Sequence, residues 1–458
     1  MRIALVNPPW MYKRLYTHSL YPPYGLLMIG TMLAEDGHDV RIFDCNADEL
    51  DEPALFEAVA SWRPEAVGVT VFTDTFAFLE RFGPWMRKEL PGRPLILGGA
   101  LMSGAPEVVM RSCGADVGVI GEGFISATNL FRALEQGESL STVPGLIVRA
   151  ENDELHRTGP TPVWDKLDDL PIPDWELLPV RKYIAGGPSP YFSKRRLQHY
   201  LSIITTLGCP WSCSFCQVPS LFEGVRRRSP ASVAAEVKGY VDRYGIESMY
   251  FRDDILFRPG RIADALAEAV PDLQWSALLR ADMITPSRVR RMRAGGCREI
   301  RVGFESGDDL VLDRANKKTA VADNVRCIEV CHAENVAVSG FLIVGLPGET
   351  EASLAATLRF VEETGARVSV HFPLPLPGTE LFRQGLRDGL IPDQAALLRR
   401  FSEPQLPGAV LQPPPVDYCG LPDDVLVGWA TRIAEVGRRG VDADEAAAGA
   451  ADHADCPF

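Results

Sequence analysis

The sequence predicts an α/β protein built from two units, a Rossmann-like unit followed by a partial (β/α)6 TIM barrel. Short buried-strand patterns alternate with helical periodicity in the first third of the chain and again after residue 200. In the second stretch, each strand pattern ends in a cluster of polar residues, and barrel folds place their sites at that end of the strands.

Composition and charge limit the kind of protein this is. The chain has 458 residues, a net charge of -14 and 46% hydrophobic residues, which suits two or three globular domains. An acidic chain does not bind nucleic acid by charge alone, and no apolar run approaches the roughly 20 residues of a membrane span. Pro8-Pro9 interrupts the N-terminal apolar run before a signal-peptide core could form, so we expect a cytoplasmic protein. In that compartment its ten cysteines are expected to be free, metal-bound or catalytic.

The first unit is expected over residues 1–140. Strands are predicted at 2–6, 39–43, 66–72, 94–97 and 116–120. Helices are predicted at 24–35, 53–62, 76–89, 106–112 and 126–135. Gly98-Gly99 and Gly121-Glu122-Gly123 follow two of the strands, where they either let a ligand approach the backbone or make tight turns.

A proline-containing linker is predicted at 141–195, the barrel at 196–385 and a short C-terminal region at 386–458. In the barrel, strands are predicted at 248–251, 275–279, 299–304, 337–344 and 367–372, after a first strand that leads into a cysteine loop. This makes six strand–helix units.

The cysteine loop is the strongest chemical signal in the sequence. Cys209, Cys213 and Cys216 are separated by three and then two residues, a spacing that lets one loop present three thiolates to a [4Fe-4S] cluster. Three thiolates leave one iron open for a ligand. A structural zinc site would need a fourth ligand, and none lies close in sequence. Trp211 and Phe215 are expected to shield the cluster from water.

This loop resembles the CxxxCxxC loop of the radical S-adenosylmethionine (SAM) superfamily. The resemblance implies that SAM binds the open iron and is cleaved reductively to a 5'-deoxyadenosyl radical, with a flavodoxin- or ferredoxin-type electron donor. It also implies ligand-binding positions at the strand ends: Asp253 or Asp254 near the amino group of SAM, Arg280 at its carboxylate, Glu305 and Ser306 near the ribose, and Gly345, Gly348 and Glu349 near the adenine. The family's Gly-Gly-Glu is absent after the second strand, and Phe341 stands where a glycine is expected.

The two units together resemble the subgroup of this superfamily with a cobalamin-binding-type N-terminal domain. Pro8-Pro9, Pro22-Pro23-Tyr24-Gly25, Gly98-Gly99 and Gly121-Glu122-Gly123 match the pattern of that domain. The Asp-x-His-x-x-Gly motif, which supplies an axial histidine in some corrinoid proteins, is absent. Cobalamin is therefore expected from the resemblance, but this motif does not support it.

Two reactions of a small-molecule substrate remain open. In the first, the radical abstracts hydrogen from a natural-product intermediate, which is then C-methylated by a cobalamin-dependent route. In the second, which needs no corrinoid, the substrate radical loses water from a vicinal diol, as in the radical diol dehydratases of aminoglycoside biosynthesis. That route requires a base and a separate reductase. An electron carrier or a zinc protein would leave the strand-end motifs unexplained, and no basic domain supports RNA modification.

The other cysteines carry weaker signals. Cys327, Cys331 and His332 either form half a metal site or are buried and inert. Cys419 and Cys456 have no partner spacing, so a second cluster is not expected. Arg226-Arg227-Arg228 is either a solvated run or a contact for an acidic substrate or an electron donor.

Overall fold

The computed structural model describes residues 1–9, 20–185, 199–403 and 412–452. The chain divides into two compact units. The described part of the first unit comprises residues 1–9, 20–185, 216–226 and 375–403, and that of the second comprises 199–215, 227–374 and 412–452. Each unit therefore draws on segments that are distant in sequence.

The first unit is built on one sheet. Its strands in the described residues are β1 (Arg2–Asn7), β2 (Asp39–Asp44), β3 (Ala66–Thr70), β4 (Leu95–Gly98), β5 (Val117–Val119), β6 (Leu146–Arg149) and β7 (Leu155–Arg157). Their order is β2-β1-β3-β4-β5-β6-β7. The first five are parallel, as predicted, with Leu5 beside Gly68 in the register of β1 and β3.

The last two strands of this sheet are antiparallel. They come from the segment that the sequence assigns to the linker, so the sheet extends beyond residue 140 and is mixed rather than parallel throughout. A short loop joins β6 to β7, and such a connection allows only antiparallel pairing.

The helices of the first unit match the predicted ones to within two residues where both exist. They are α1 (Tyr24–Glu35), α2 (Glu52–Trp62), α3 (Phe76–Glu89), α4 (Ala100–Gly104), α5 (Pro106–Cys113), α6 (Phe124–Gln136), α7 (Val180–Ala185), α8 (Val218–Leu221), α15 (Glu380–Arg387) and α16 (Gln394–Phe401). The sequence missed α4, which begins after Gly99 in a left-handed conformation with φ 109°. A Cβ there would lie 2.8 Å from the Val71 carbonyl oxygen, so the turn requires glycine.

The second unit contains the expected six-stranded parallel sheet. Its strands in the described residues are β8 (Tyr200–Ile203), β11 (Ser248–Phe251), β12 (Gln274–Leu279), β13 (Cys297–Glu305), β14 (Ala337–Ile343) and β15 (Arg367–His371). They follow one another across the sheet in chain order. Two short strands, β9 (Thr206–Leu207) and β10 (Arg226–Arg227), flank the cysteine loop in sequence. The predicted partial (β/α)6 barrel is confirmed.

Helices cover the outer face of this sheet. They are α9 (Pro230–Tyr244), α10 (Pro259–Ala269), α11 (Pro286–Ala294), α12 (Asp309–Arg314), α13 (Val321–Ala333), α14 (Glu351–Thr364) and α17 (Asp423–Asp452). Ser229 caps α9 by accepting a hydrogen bond from the Ser232 amide, and Pro230 takes the first-turn position, as predicted. The C-terminal helix α17 packs on β15 and α14. Within the described ranges, no helix has the length and apolarity to cross a membrane.

Because all six strands are parallel, their carboxyl ends share one edge. The predicted polar clusters and the cysteine loop are therefore brought to that edge of the second unit.

Candidate functional site

The three cysteines of the loop differ from most of the other cysteines. Cys209, Cys213 and Cys216 are half-buried, whereas Cys45, Cys113, Cys297, Cys327 and Cys331 are buried. Burial raises the pKa of the Cys209 and Cys213 thiols, and the positive charge of Arg280 opposes that rise at both. A thiol that keeps some solvent access next to a cation is suited to metal binding as the thiolate.

The segment after α12 holds the cysteine loop in place. The Asn316 side chain donates to the carbonyl oxygen of Ser212 at 2.7 Å and to its hydroxyl at 3.0 Å. One residue earlier, the Ala315 carbonyl oxygen accepts from the Ser214 amide at 2.9 Å. Asn316 adopts a left-handed conformation with φ 53°, which asparagine tolerates better than most residues. These bonds fix the residues on both sides of Cys213.

Arg280, at the carboxyl end of β12, is almost completely buried, with 3% of its surface exposed. Its guanidinium lies 4.1 Å from the centre of the Trp211 ring in the cysteine loop. It donates to the Lys317 carbonyl oxygen at 2.7 Å and pairs with Asp282 at 3.1 Å. The side chain therefore links the loop, the end of β12 and the segment after α12.

The two candidate aspartates at the end of β11 have different surroundings. Asp253 is buried and accepts hydrogen bonds from the amide and hydroxyl of Thr205, at 2.7 and 3.0 Å, and from the Thr206 amide. Burial raises its pKa to about 7. Asp254 is exposed, and its charge acts on the Cys209 thiol. Asp253 is thus bound to the chain that leads into the cysteine loop, while Asp254 is accessible to a ligand.

Glu305 and Ser306 lie at the carboxyl end of β13. Glu305 has a left-handed backbone with φ 62°, and its carboxylate forms a buried ion pair with Lys317 at 2.7 Å. The Ser306 hydroxyl lies 3.3 Å from that of Thr357. The charge of Lys317 also opposes the rise in the Cys213 pKa that burial causes, so one cation acts on both a carboxylate and the cysteine loop. Non-glycine residues with positive φ concentrate at functional sites.

The Gly345 to Glu349 turn follows β14. The Glu349 carboxylate is buried and accepts a hydrogen bond from the Gly345 amide. Burial raises its pKa to about 7. Gly345 and Gly348 have φ values of 99° and 79°, and a side chain at Gly348 would collide with the Arg314 guanidinium. The Glu349 side chain therefore stabilises the turn by a hydrogen bond to the turn's own backbone.

Phe215 lies in an apolar cluster with Val311, Ala315, Ile343 and Leu346. Trp211 instead stacks on Phe257, with ring centres 6.0 Å apart and planes inclined by 10°. One of the two aromatic residues of the loop anchors it in the core, and the other lies against a neighbouring loop.

The donor chemistry of the loop fits an iron–sulfur cluster better than a single ion. Among the described residues, no three Cys, His, Asp or Glu side chains are grouped closely enough to hold one metal ion. In a four-iron cluster each thiolate binds a different iron, so the thiols stand further apart than the ligands of one ion. Three half-buried thiols, two of them near Arg280, match that donor set.

The first unit offers a different kind of surface at the carboxyl edge of its sheet. After β3, Phe72 exposes 46% of its surface, which is unusual for a large apolar side chain. Two residues later, Asp74 is buried, its Oδ2 atom has no hydrogen-bond partner, and burial raises its pKa to about 6. An exposed ring and an unpaired acceptor fit a large, partly apolar ligand that carries amide groups, as a corrinoid does.

The glycine turns at this edge are built differently. The Gly98-Gly99 turn precedes α4. Glu122, between Gly121 and Gly123, accepts two hydrogen bonds of 2.9 Å from the Arg226 guanidinium, which also donates to the Trp164 carbonyl oxygen. Arg226 is therefore not part of a solvated run; it is an ion-paired side chain of the first unit.

The remaining cysteine predictions have mixed outcomes. Cys327 and Cys331 are buried, as the second alternative predicted, and the contact with Cys331 raises the pKa of the Cys327 thiol; that these cysteines are inert stays a prediction. His332 is exposed. Cys419 is half-buried, and Cys456 lies outside the described residues.

Sequence reasoning missed Asn316, Lys317 and Asp74. The polar run Arg314 to Lys318 follows a helix rather than a strand, so the rule that sites follow strands did not select it. Asp74 lay in a predicted strand–helix connection, where an aspartate is ordinarily a cap.

Two parts of the chain match known protein families. Residues 203–361 match the radical SAM superfamily, and residues 16–130 match the B12 binding domain. An uncharacterized methyltransferase of Pyrococcus horikoshii is 28% identical over 85% of this chain and 84% of its own length. The anaerobic magnesium-protoporphyrin IX monomethyl ester cyclase of Rubrivivax gelatinosus is 24% identical over 84% of this chain and 70% of its own.

A solved structure has the same fold. TsrM, a radical S-adenosylmethionine methyltransferase from Kitasatospora setae, solved with cobalamin and a [4Fe-4S] cluster bound, matches with a TM-score of 0.71 and 19% identity. The match covers 96% of this chain and 99% of that one. At this identity the likeness shows the fold.

Proposed function

This chain belongs to the radical SAM superfamily, in the subgroup that carries a B12-binding domain, and from that premise we propose that it is a cobalamin-dependent C-methyltransferase of a small organic substrate. The cofactors of this enzyme class are a [4Fe-4S] cluster and SAM, and we propose cobalamin as the third. When bound, the cluster and SAM supply a hydrogen-abstracting radical, and the corrinoid supplies a methyl group.

The observation that carries the methylation proposal is the loop after β3 in the first unit. A B12-binding domain that had lost its ligand would be expected to bury or replace an apolar surface at its ligand edge. Here Phe72 is exposed, and Asp74 keeps a buried carboxylate oxygen without a partner. Such an oxygen costs about 1–3 kcal/mol unless a donor reaches it, and the amide groups around a corrin ring are suitable donors.

The relatives favour the same choice. The relative from Pyrococcus horikoshii is called a methyltransferase, and so is TsrM, whose structure holds cobalamin. The Rubrivivax relative is a cyclase, so similarity at this level does not by itself fix the reaction. Neither name favours dehydration of a diol on an aminoglycoside sugar, which we keep as the alternative.

We propose that Cys209, Cys213 and Cys216 bind the cluster. Arg280 and Lys317 favour the thiolate form at Cys213, because their charges oppose the rise in its pKa that burial causes. Asn316 and Ala315 fix the backbone on both sides of Cys213. The chain thus orients its sulfur ligands and places cations near them, which stabilise the thiolates that metal binding requires.

Assignments for SAM follow the polar ends of the strands, and accessibility decides only between the two aspartates. We propose Asp254 rather than Asp253 for the amino group, because the oxygens of Asp253 already accept three hydrogen bonds from Thr205 and Thr206. Arg280 is proposed for the carboxylate, Glu305 and Ser306 for the ribose side, and the Gly345 to Glu349 turn for the adenine. Phe215 supports the loop from beneath through its apolar cluster.

The proposal also predicts where the enzyme works. A cluster with half-buried thiolate ligands and an open iron survives in a reducing compartment, so we propose the cytoplasm, a small-molecule substrate and a separate electron donor. The dehydration alternative would add a separate reductase.

Corrinoid binding tests the proposal. The full chain, purified anaerobically and reconstituted with iron and sulfide, is incubated with hydroxocobalamin and passed through a desalting column. We expect about one corrinoid per chain by absorbance, and loss of most of it in Asp74→Leu but not in Asp116→Leu, whose carboxylate in the same unit binds the Leu95 amide. A wild-type chain that retains its cluster but no corrinoid would refute methylation and leave dehydration.

A further inference from the structure

A basic depression lies on the outer surface of the second unit. It is bordered by the beginnings of α10 and α11, and its lining includes Phe257, Arg258, Arg261, Arg288 and Arg291. Both helices begin at the edge of the sheet that carries the carboxyl ends of the strands, with Arg258 and Thr285 as their N-terminal caps. The partial positive charge of a helix N-terminus adds to that of the arginines.

The charge of this depression is largely uncompensated. Arg258 and Arg261 are exposed, and within the described ranges neither makes an ion pair or a side-chain hydrogen bond. The Arg288 guanidinium donates to the Met283 carbonyl oxygen, and Arg291 alone is paired, with Asp264. In a chain whose net charge is -14, this concentration of positive charge is local and directional.

The depression is separated from the cysteine loop by a single aromatic contact. Phe257, on its wall, stacks on Trp211 with ring centres 6.0 Å apart. Trp211 lies between Cys209 and Cys213 in sequence, and Arg280 lies against its ring. The Arg227 guanidinium lies 4.4 Å from the centre of the Phe257 ring. A protein bound in the depression would therefore come close to the proposed cluster.

We propose that this surface, defined by Arg258, Arg261, Arg288 and Phe257, is the docking site of an acidic protein that donates single electrons to the cluster. This inference rests on the proposed function, which requires such a donor. The exposed position on the outer helices suits a macromolecule, and the positive charge selects an acidic one. Each transfer oxidises the donor by one electron and reduces the cluster by one, and no bond or proton is exchanged between the two proteins.

Charge reversal tests the docking site. The double variant Arg258→Glu/Arg261→Glu is compared with Arg298→Glu/Arg359→Glu, which makes the same change of charge at two exposed arginines of the second unit, one on α14 and one near the start of β13. The probe is a purified acidic flavodoxin. Its dissociation constant for the reconstituted full chain is measured by calorimetry over a range of salt concentrations, so the first readout does not depend on turnover.

We expect the Arg258→Glu/Arg261→Glu chain to bind flavodoxin at least about tenfold more weakly at low salt and with a flatter salt dependence, since steering by charge is worth about 10- to 1000-fold. The dissociation constant of the control variant should stay within about twofold of the wild-type value, because charges further from the bound partner than a Debye length are screened. In stopped-flow experiments, reduced flavodoxin should bleach the cluster more slowly in the test variant, while dithionite should bleach both variants at the same rate.

Unchanged flavodoxin affinity in the test variant would overturn the proposal. An equal slowing with dithionite would overturn it as well, because the effect would then lie in the cluster. If the test variant binds flavodoxin as the wild type does but needs a higher concentration of a small anionic substrate, the depression would be assigned to that substrate instead. If dithionite produces no SAM cleavage in the wild type, the proposed function fails, whatever the docking result.

Discussion

Asn316 is predicted to be a positioning residue for the cysteine loop, and its contribution can be separated into two parts. In Asn316→Ala, two hydrogen bonds to Ser212 are lost, at about 0.5–1.5 kcal/mol each. Alanine must also adopt a left-handed conformation, at about 1–2 kcal/mol. Asn316→Gly loses the same bonds without the backbone cost. We therefore expect a destabilisation of about 2–5 kcal/mol for alanine and about 1–2 kcal/mol less for glycine.

Urea unfolding of the second unit, followed by tryptophan fluorescence, measures both variants. The rate at which the reconstituted chain releases iron to a chelator is measured as well. This rate should change only if Asn316 positions the cysteine loop, and not if it only stabilises the fold. Ser212→Ala is the matched control, since it removes the hydroxyl acceptor and keeps the stronger bond to the carbonyl oxygen. Wild-type unfolding midpoints together with wild-type iron release in both Asn316 variants would refute the reasoning.

Three further predictions follow from buried charges and from the cluster ligands. Burial in the folded state raises the Asp74 pKa from 3.8 to about 6, so between these pH values the folded state binds more protons than the unfolded state, and the unfolding free energy falls as pH rises. Asp74→Asn should therefore stabilise the chain by up to about 3 kcal/mol at pH 7.5 and by almost nothing at pH 3.5. Equal stabilisation at the two pH values would contradict this prediction. Lys317→Met leaves Glu305 buried without its cation and should lower the free energy of urea unfolding by about 3–5 kcal/mol. The double variant Glu305→Gln/Lys317→Met should recover much of that lost stability. A double variant no more stable than Lys317→Met would contradict the prediction. Cys213→Ala should lose the cluster, measured as bound iron and sulfide, with an unchanged circular dichroism spectrum, whereas the buried Cys331→Ala should keep its cluster; equal iron in both would contradict the ligand assignment.

Much of the fold was predictable because its periodic signals are strong. Strands such as β1 and β3 are almost continuous buried runs, and helices such as α3 begin and end at the predicted residues. The hairpin of β6 and β7 was missed because β7 is short and largely exposed, so it lacks the apolar run that marks a buried strand. The assignment of 216–226 and 375–403 to the first unit depends on tertiary contacts, which periodicity does not encode.

The site was predictable where covalent spacing determines it. The cysteine spacing and the polar strand ends are visible in the sequence, and the structure brings Arg280, Glu305 and Ser306 to the expected edge. The sequence could not predict the choice between Asp253 and Asp254, because that choice depends on which carboxylate accepts hydrogen bonds from the amides of Thr205 and Thr206. Lys317 was missed for a similar reason: its partner Glu305 is twelve residues away, on another element.

The distribution of products from SAM tests the central claim most directly. The anaerobically reconstituted chain is supplied with a reductant, hydroxocobalamin and SAM labelled in its methyl group, and the products are quantified by mass spectrometry. Methylation by this chain predicts S-adenosylhomocysteine together with 5'-deoxyadenosine, and labelled methyl on the bound corrinoid. Formation of 5'-deoxyadenosine alone, with no methyl group on the corrinoid, would contradict methylation, and the absence of both products would contradict radical SAM chemistry.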